Sequence, residues 1–178
     1  MPRPKPTAPP TESSLREAAV RHLERHAATS ATLARVLGNR IRRWAAATEL
    51  DDDAKAEAAA RARAAIPKIV AALTQAGALN DAAFAESRAR RLSRSGGSRR
   101  KIAAHLAARG VALETPIDEF AAALAFARRR RLPPFGEADR LKALAALARA
   151  GFPRDIAEAV LRADRDEAEA RLAAAQHE

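Results

Sequence analysis

Apolar residues recur along this chain at the spacing of an amphipathic helix. Between residues 33 and 44 they fall three or four positions apart, which places them on one helical face. Alternating patterns typical of strands are almost absent, and the chain has no tyrosine and one tryptophan. The sequence therefore predicts an all-α protein. The apolar stripe of this segment consists of Leu33, Val36, Leu37, Ile41 and Trp44.

Capping residues indicate where the successive helices begin. Ser14 and Glu17 have the spacing of a capping box and predict the start of the first helix. Thr115 followed by Pro116 fits the N-cap and first position of a later helix. Pro67 lies inside the predicted third helix and is a candidate for a kink. Further starts are predicted at Thr29 or Ser30, at Asp51–Asp53, at Asn80 or Asp81, at Ser98, near Glu137 and at Pro153.

The predicted helix ends repeat a Leu-x-x-x-Gly pattern. It occurs at Leu73–Gly77, Leu106–Gly110 and Leu147–Gly151, with glycines 33 and 41 residues apart. Glycine after the last turn is a common way to end a helix. Recurrence at this period is also typical of stacked helical units.

Charge adds a functional indication. The net charge is +10, and residues 1–48 and 81–110 each carry a net charge of +6, whereas residues 154–178 carry −3. Basic blocks favour contact with nucleic acid or with acidic protein surfaces. Within the predicted helix from residue 81 to 95, Arg90, Arg91 and Arg94 fall within about 100° of arc. The alanines and Leu92 opposite them predict a buried seam, so the arginines form an exposed stripe.

We predict that the basic residues around this stripe contact a partner or DNA, because the guanidinium group suits carboxylates and phosphates alike. The alternative is that they form a solvated helix face. The candidate residues are Arg88, Arg90, Arg91, Arg94, Arg99, Arg100, Lys101, Arg128, Arg129, Arg130 and Arg131.

No constellation typical of an enzyme stands out. His22 and His26 have a spacing compatible with a metal, but no third ligand is evident, and a surface pair is the simpler interpretation. The acidic run Asp51–Asp53 is better explained by helix capping. No phosphate-binding glycine loop or nucleophile motif occurs. We expect no catalytic residue, no bound metal and no cofactor.

The rest of the composition bears on where in the cell the protein acts. The chain has no cysteine, which fits a reducing cytoplasm. No apolar run approaches the ~20 residues of a membrane helix, and no signal peptide is visible. Five prolines lie within the first ten residues, so residues 1–12 are expected to be a disordered tail. We expect a cytoplasmic protein without membrane contact.

Residues 79–111 read LNDAAFAESRARRLSRSGGSRRKIAAHLAARGV and resemble the central block of the RecX family. Asn80 departs from the acidic residue usual there. Residues 30–37 and 142–161 resemble the first and third repeats of that family. The residues that fit the central block are Leu79, Asp81, Phe84, Ala85, Arg88, Gly97, Arg99, Arg100, Ile102, Leu106, Gly110 and Val111.

The resemblance implies tandem three-helix repeats in a curved array, with repeats at residues 13–78, 79–114 and 115–178. Extra residues at 38–55 and a shortened or merged third helix after Val111 depart from the family pattern. The resemblance also implies a regulator that binds RecA-type recombinase filaments on single-stranded DNA. Such a protein inhibits recombination and co-protease activity, and so modulates DNA repair and the SOS response. We expect a monomer.

Several questions stay open at the level of sequence, among them the oligomeric state and the arrangement of the helices in residues 38–76 and 111–121. The protein could inhibit or assist its recombinase, and it could contact DNA directly or only through the filament. A basic helix-turn-helix DNA-binding protein is the alternative class, although asparagine and glutamine, which read base edges, are scarce. Finally, Phe84 is expected to be a core anchor packed over Leu73 and Leu79.

Overall fold

The structure is a computed structural model, and it describes residues 8–177. This range contains nine α-helices and no strand, which confirms the all-α prediction. Residues 1–7 of the expected tail lie outside the described residues, and residue 12 already belongs to the first helix. The helices are α1 Glu12–Leu23, α2 Ser30–Ala45, α3 Asp52–Gln75, α4 Asp81–Arg94, α5 Arg99–Ala107, α6 Glu119–Arg130, α7 Arg140–Ala150, α8 Arg154–Val160 and α9 Arg165–His177.

Most helices begin at the predicted capping residues. Thr29, Asp51 and Ser98 each accept a hydrogen bond from the backbone N–H three positions later. Asn80 does the same for Ala83 at 2.9 Å. α3 continues through Pro67.

Two predicted helix starts are wrong. α1 is capped by Thr11, which exchanges hydrogen bonds with Ser14. Ser14 is therefore the N3 residue of the capping box and not its N-cap. α6 begins four residues after Thr115, because the Asp118 carboxylate accepts a hydrogen bond from the Ala121 N–H at 2.9 Å. Residues 111–118 contain no helix.

The three Leu-x-x-x-Gly sequences end their helices in one geometry. Gly77, Gly110 and Gly151 have φ values of 74°, 75° and 92°, in the left-handed region. In each case the residue after the glycine donates its N–H to the carbonyl of the leucine, as in a Schellman motif.

The same ending occurs at Gly96, which also follows a leucine by four residues, and at Arg131, where the sequence pattern did not indicate it. At Gly96, with φ 81°, the Gly97 N–H donates to the Leu92 carbonyl at 2.9 Å. At Arg131, with φ 52°, the Leu132 N–H donates to the Ala127 carbonyl at 2.9 Å. Arg131 is the non-glycine residue with positive φ among the described residues.

The chain divides after Phe84 into two compact units. In the first unit, α1, α2 and α3 pack around the stripe predicted on α2, of which Leu33, Leu37, Ile41 and Trp44 are buried. The Asp81 carboxylate accepts a hydrogen bond from the Ser30 N–H at 2.8 Å, so the start of α4 also supports the start of α2. The core includes Leu15, Ala19, Leu33, Leu37, Ile41, Trp44, Ala58, Ala59, Ala62, Ala65, Ile69 and Leu79.

The prediction for Phe84 is wrong. Its side chain is only partly buried and belongs to neither core, whereas the neighbouring Leu79 is buried. Ala85, the residue after Phe84, and Ala89, one turn later, carry the buried seam of α4.

In the second unit, α6 packs against α7, α8 and α9. The rings of Phe126 and Phe152 meet at a centroid distance of 5.8 Å inside this core. Ile102 and Leu106 of α5 are also buried. The division into three repeats stays a prediction.

Candidate recognition surface

The arginine stripe of α4 is exposed, as its spacing predicted. Arg90, Arg91 and Arg94 are exposed, while Ala85 and Ala89 on the opposite face are buried. Arg90 forms an ion pair with Glu86 at 2.7 Å on the same helix. Such exposed pairs contribute little to stability. The stripe therefore stays accessible to a partner.

A close approach between backbones brings the second arginine cluster to this stripe. A Cβ atom on Gly96 would lie 2.7 Å from the Phe126 nitrogen and 2.9 Å from its Cα, so only glycine fits there. The Arg129 guanidinium hydrogen-bonds the Ser95 carbonyl in the α4–α5 turn. α6 thereby holds Arg128 beside α4.

The two clusters meet at a cavity of about 300 Å³, which we call the arginine cavity. Its polar lining consists of Arg90, Ser93, Arg94, Thr115, Asp118 and Arg128. The Asp118 carboxylate already accepts hydrogen bonds from the Ala121 N–H and from Arg171, so its oxygens are engaged on α6 and α9. Its apolar lining consists of Pro116, Ile117, Ala121, Ala122, Ala125, Leu172 and Ala175. The cavity combines guanidinium donors with an apolar wall, so it can hold an acidic group and an apolar side chain at once.

Not every candidate residue lies at this surface. Arg88 is partly buried, and its Nε donates to His105 Nε2 on α5 at 3.0 Å. Burial and the charges of Arg109 and Arg88 hold the pKa of His105 below its ordinary value, which keeps the imidazole neutral as an acceptor. Arg88 therefore joins α4 to α5.

Three basic candidates occupy the first turn of α5. Cations at a helix N-terminus oppose the helix dipole, and Glu119 compensates by accepting a hydrogen bond from the Arg99 N–H at 3.0 Å. The guanidinium of Arg100 lies against Gly151 at the end of α7. All three residues, Arg99, Arg100 and Lys101, are exposed.

The remaining candidates end α6. The guanidinium carbons of Arg129 and Arg130 lie 5.7 and 5.9 Å from the centre of the Phe126 ring, within cation–π distance. Arg131 adopts the left-handed backbone conformation described above. Exposed Arg128 is the member of this cluster that lines the arginine cavity.

Sequence reasoning missed the wall formed by residues 115–118 and the contribution of α9. Asp118 caps α6 and pairs with Arg171 on α9, which closes one side of the arginine cavity. The acidic pair Asp118–Glu119 was a usable capping signal, but the Thr115–Pro116 pattern competes with it. No local pattern reveals that Leu172 of α9 lines the same cavity.

Among the side chains that the structure describes, residues 8–175, no three of His, Cys, Asp or Glu come together as metal ligands would. His22 and His26 are a ring pair with centroids 5.1 Å apart. Among the described helices, none is long and apolar enough to cross a membrane.

The fold and this surface define a class: small helical proteins with an exposed basic surface. The family model "RecX, second three-helix domain" matches residues 80–115, which include α4 and α5. The chain is 37% identical over 175 residues to the regulatory protein RecX of Myxococcus xanthus, covering 89% of this chain and 88% of that protein. It is also 37% identical over 103 residues to RecX of Agrobacterium fabrum, covering 52% and 56% of the two chains. No solved structure gives a significant match. The chain belongs to the RecX family.

Proposed function

We propose that this protein is a RecX-type regulator that binds RecA-type recombinase filaments on single-stranded DNA and inhibits their recombinase and co-protease activities. It thereby modulates recombination, DNA repair and the SOS response. The observation that carries the proposal is the arginine cavity, where Arg90 and Arg94 of the family-matched segment meet Arg128. The sequence comparisons support the regulatory role.

The composition of the arginine cavity favours contact with the protein part of a filament. DNA phosphates would engage the guanidinium groups but would leave the apolar wall unused. A recombinase subunit can offer a carboxylate beside an apolar side chain and fill both parts. We therefore propose that Arg90, Arg94 and Arg128 contact recombinase subunits, while Arg91, Lys101 and the basic residues around them add contact to DNA.

The test changes Arg90, Arg91 and Arg94 together to glutamate. Since these side chains are exposed, the fold should survive, and circular dichroism checks this. Inhibition of the DNA-dependent ATPase activity of RecA should be lost. A matched control changes Arg154, Arg162 and Arg165 to glutamate, because these side chains are 84%, 62% and 64% exposed in the same unit.

Binding to preformed filaments and to single-stranded DNA alone separates the possible targets. The parent should bind the filament more tightly, and its affinity should fall as salt rises. Equal loss of inhibition in the stripe and control variants would reduce the stripe to a solvated face. Tight binding of the parent to naked duplex DNA would instead favour the helix-turn-helix alternative.

The remaining parts of the proposal follow from the same family role. The protein acts in the cytoplasm, as a monomer, and without a catalytic group or cofactor of its own. The three proposed repeats span residues 13–78, 79–114 and 115–178.

A further inference from the structure

A second basic site lies in the first unit, where the end of α1 faces the second half of α2. A cleft of about 240 Å³ opens between them, which we call the α1–α2 cleft. Its floor is apolar and includes Val36 and Leu37. No carboxylate is among its described lining residues. The polar groups that line it are Arg21, His22, Arg25, His26, Arg40 and Arg43.

Helix capping explains only part of this cluster. Basic residues at the end of α1 interact favourably with the helix dipole, which accounts for Arg21 and His22. It does not explain why Arg40 and Arg43 of α2 face the same cleft. The end of α1 does not itself attract an anion, because the last carbonyl groups of the helix carry partial negative charge. Binding there would depend on the side chains.

Three arginines of this cluster lack an ion-pair partner among the described residues, as do Arg35, Arg42 and Arg63 outside the cleft. Arg16 and Arg61 each have a glutamate four residues away, at 4.0 and 2.6 Å. In the described part of the chain, Arg25, Arg40 and Arg43 have no carboxylate within ion-pair distance. Like charges gathered in this way repel one another, and an anion bound between them would relieve the repulsion.

The two histidines also contribute to the charge of the cleft. Burial, and after it the charge of His26, holds the pKa of His22 below its ordinary value. A bound dianion favours the protonated ring, so binding would take up protons. The other charged groups lining the cleft are Arg21 and Arg25 beside the histidines and Arg40 and Arg43 on α2. Glu17 is not part of the lining, but it forms an ion pair with Arg21 at 3.3 Å. Arginine side chains keep their charge near neutral pH, so His22 is the group through which pH can act on the cleft.

We propose that the α1–α2 cleft is a binding site for a phosphate group. Guanidinium and imidazolium groups converging from two helices are the donors that phosphate oxygens require. The volume lies below the ~300–1,000 Å³ of sites that enclose whole small molecules, so the cleft suits a phosphate moiety. The phosphate belongs either to a nucleic-acid backbone or to a free phosphate compound. This inference concerns the first unit and does not depend on the proposed function.

The test uses the full chain and sodium pyrophosphate as the probe, with binding measured by titration calorimetry at pH 6 and pH 8. Because pyrophosphate itself gains protons between pH 8 and pH 6, affinities of parent and variants are compared at the same pH, and the NMR titration of His22 should move to higher pH with pyrophosphate. Changing Arg40 and Arg43 together to glutamine should weaken binding roughly tenfold or more, since each removes charge-assisted hydrogen bonds. Changing Arg16 and Arg61 to glutamine removes equal charge outside the cleft and should have little effect.

A single-stranded oligonucleotide of thymidines distinguishes the source of the phosphate. If the Arg40 and Arg43 variant loses affinity for both probes, the site takes backbone phosphates. If it loses only pyrophosphate, the ligand is a free phosphate compound. No pyrophosphate binding at pH 6, or an equal loss in the control variant, would overturn the proposal. The glutamate variant of the α4 stripe should still bind pyrophosphate, so failure of either proposal is recognised separately.

Discussion

Gly96 provides a sharp test of how the two arginine clusters are held together. Replacing it with alanine places a Cβ 2.7 Å from the backbone nitrogen of Phe126. Backbone atoms cannot rotate away as a flexible side chain would, so α4 and α6 have to separate. Gly77 is the matched control, because its φ of 74° resembles the 81° of Gly96 but no atom lies within 4 Å of the added Cβ.

The two substitutions share one cost and differ in another. Both put alanine in the left-handed region, which costs about 1–2 kcal/mol. Gly96→Ala adds overpacking, typically about 1–3 kcal/mol. We therefore expect Gly77→Ala to lower the free energy of unfolding by about 1–2 kcal/mol, and Gly96→Ala by about 2–5 kcal/mol.

Denaturant titrations measure both losses. Far-UV circular dichroism follows all helices, and the fluorescence of Trp44, the single tryptophan, follows the first unit. Gly96→Ala should also weaken filament binding under conditions where it is folded, because Arg128 moves away from Arg90 and Arg94. Equal stability losses for the two glycines, with unchanged binding, would refute the role of the close approach.

Three further predictions concern single residues. The buried Trp44 indole N–H has no hydrogen-bond partner among the described residues. Trp44→Phe should therefore change the free energy of unfolding by no more than about 1 kcal/mol. Trp44→Ala should lower it by about 3–5 kcal/mol in the same denaturant titration. Arg131→Gly should raise stability by roughly 1 kcal/mol, because glycine relieves the left-handed strain; an unchanged thermal midpoint would contradict this. The pKa of His105 is lowered in the folded state, so the unfolded chain binds more protons and stability should fall as pH drops below about 6.5. His105→Gln should make the thermal midpoint less sensitive between pH 7.5 and 5.5, and an identical pH dependence would contradict the lowered pKa of His105.

Local patterns predicted most helices because they depend on neighbours in sequence. The apolar stripe of α2 and the caps at Thr29, Asp51 and Ser98 involve residues three or four positions apart. The errors arose where two local signals compete. Thr115 and Asp118 both suit an N-cap, and the structure uses Asp118.

The candidate site could be predicted only in part for a related reason. The spacing of Arg90, Arg91 and Arg94 establishes that they share a face of α4, and the structure exposes that face. Their meeting with Arg128 depends on the approach of Gly96 to Phe126, 30 residues further along the chain. That approach is a tertiary contact without a periodic signal. Phe84 illustrates the opposite error, since a large apolar residue near a buried leucine is only partly buried.

The hydrogen bond between Asp81 and Ser30 has a consequence for how the chain is made. The two residues are 51 positions apart, so during synthesis the start of α2 leaves the ribosome well before its acceptor exists. Closing a segment of this length costs entropy that grows with the logarithm of its length. A fragment ending at residue 78 lacks both buried Leu79 and Asp81, whereas one ending at residue 84 retains them. A nascent chain can therefore complete its first unit only after translation has entered the helix that carries the arginine stripe.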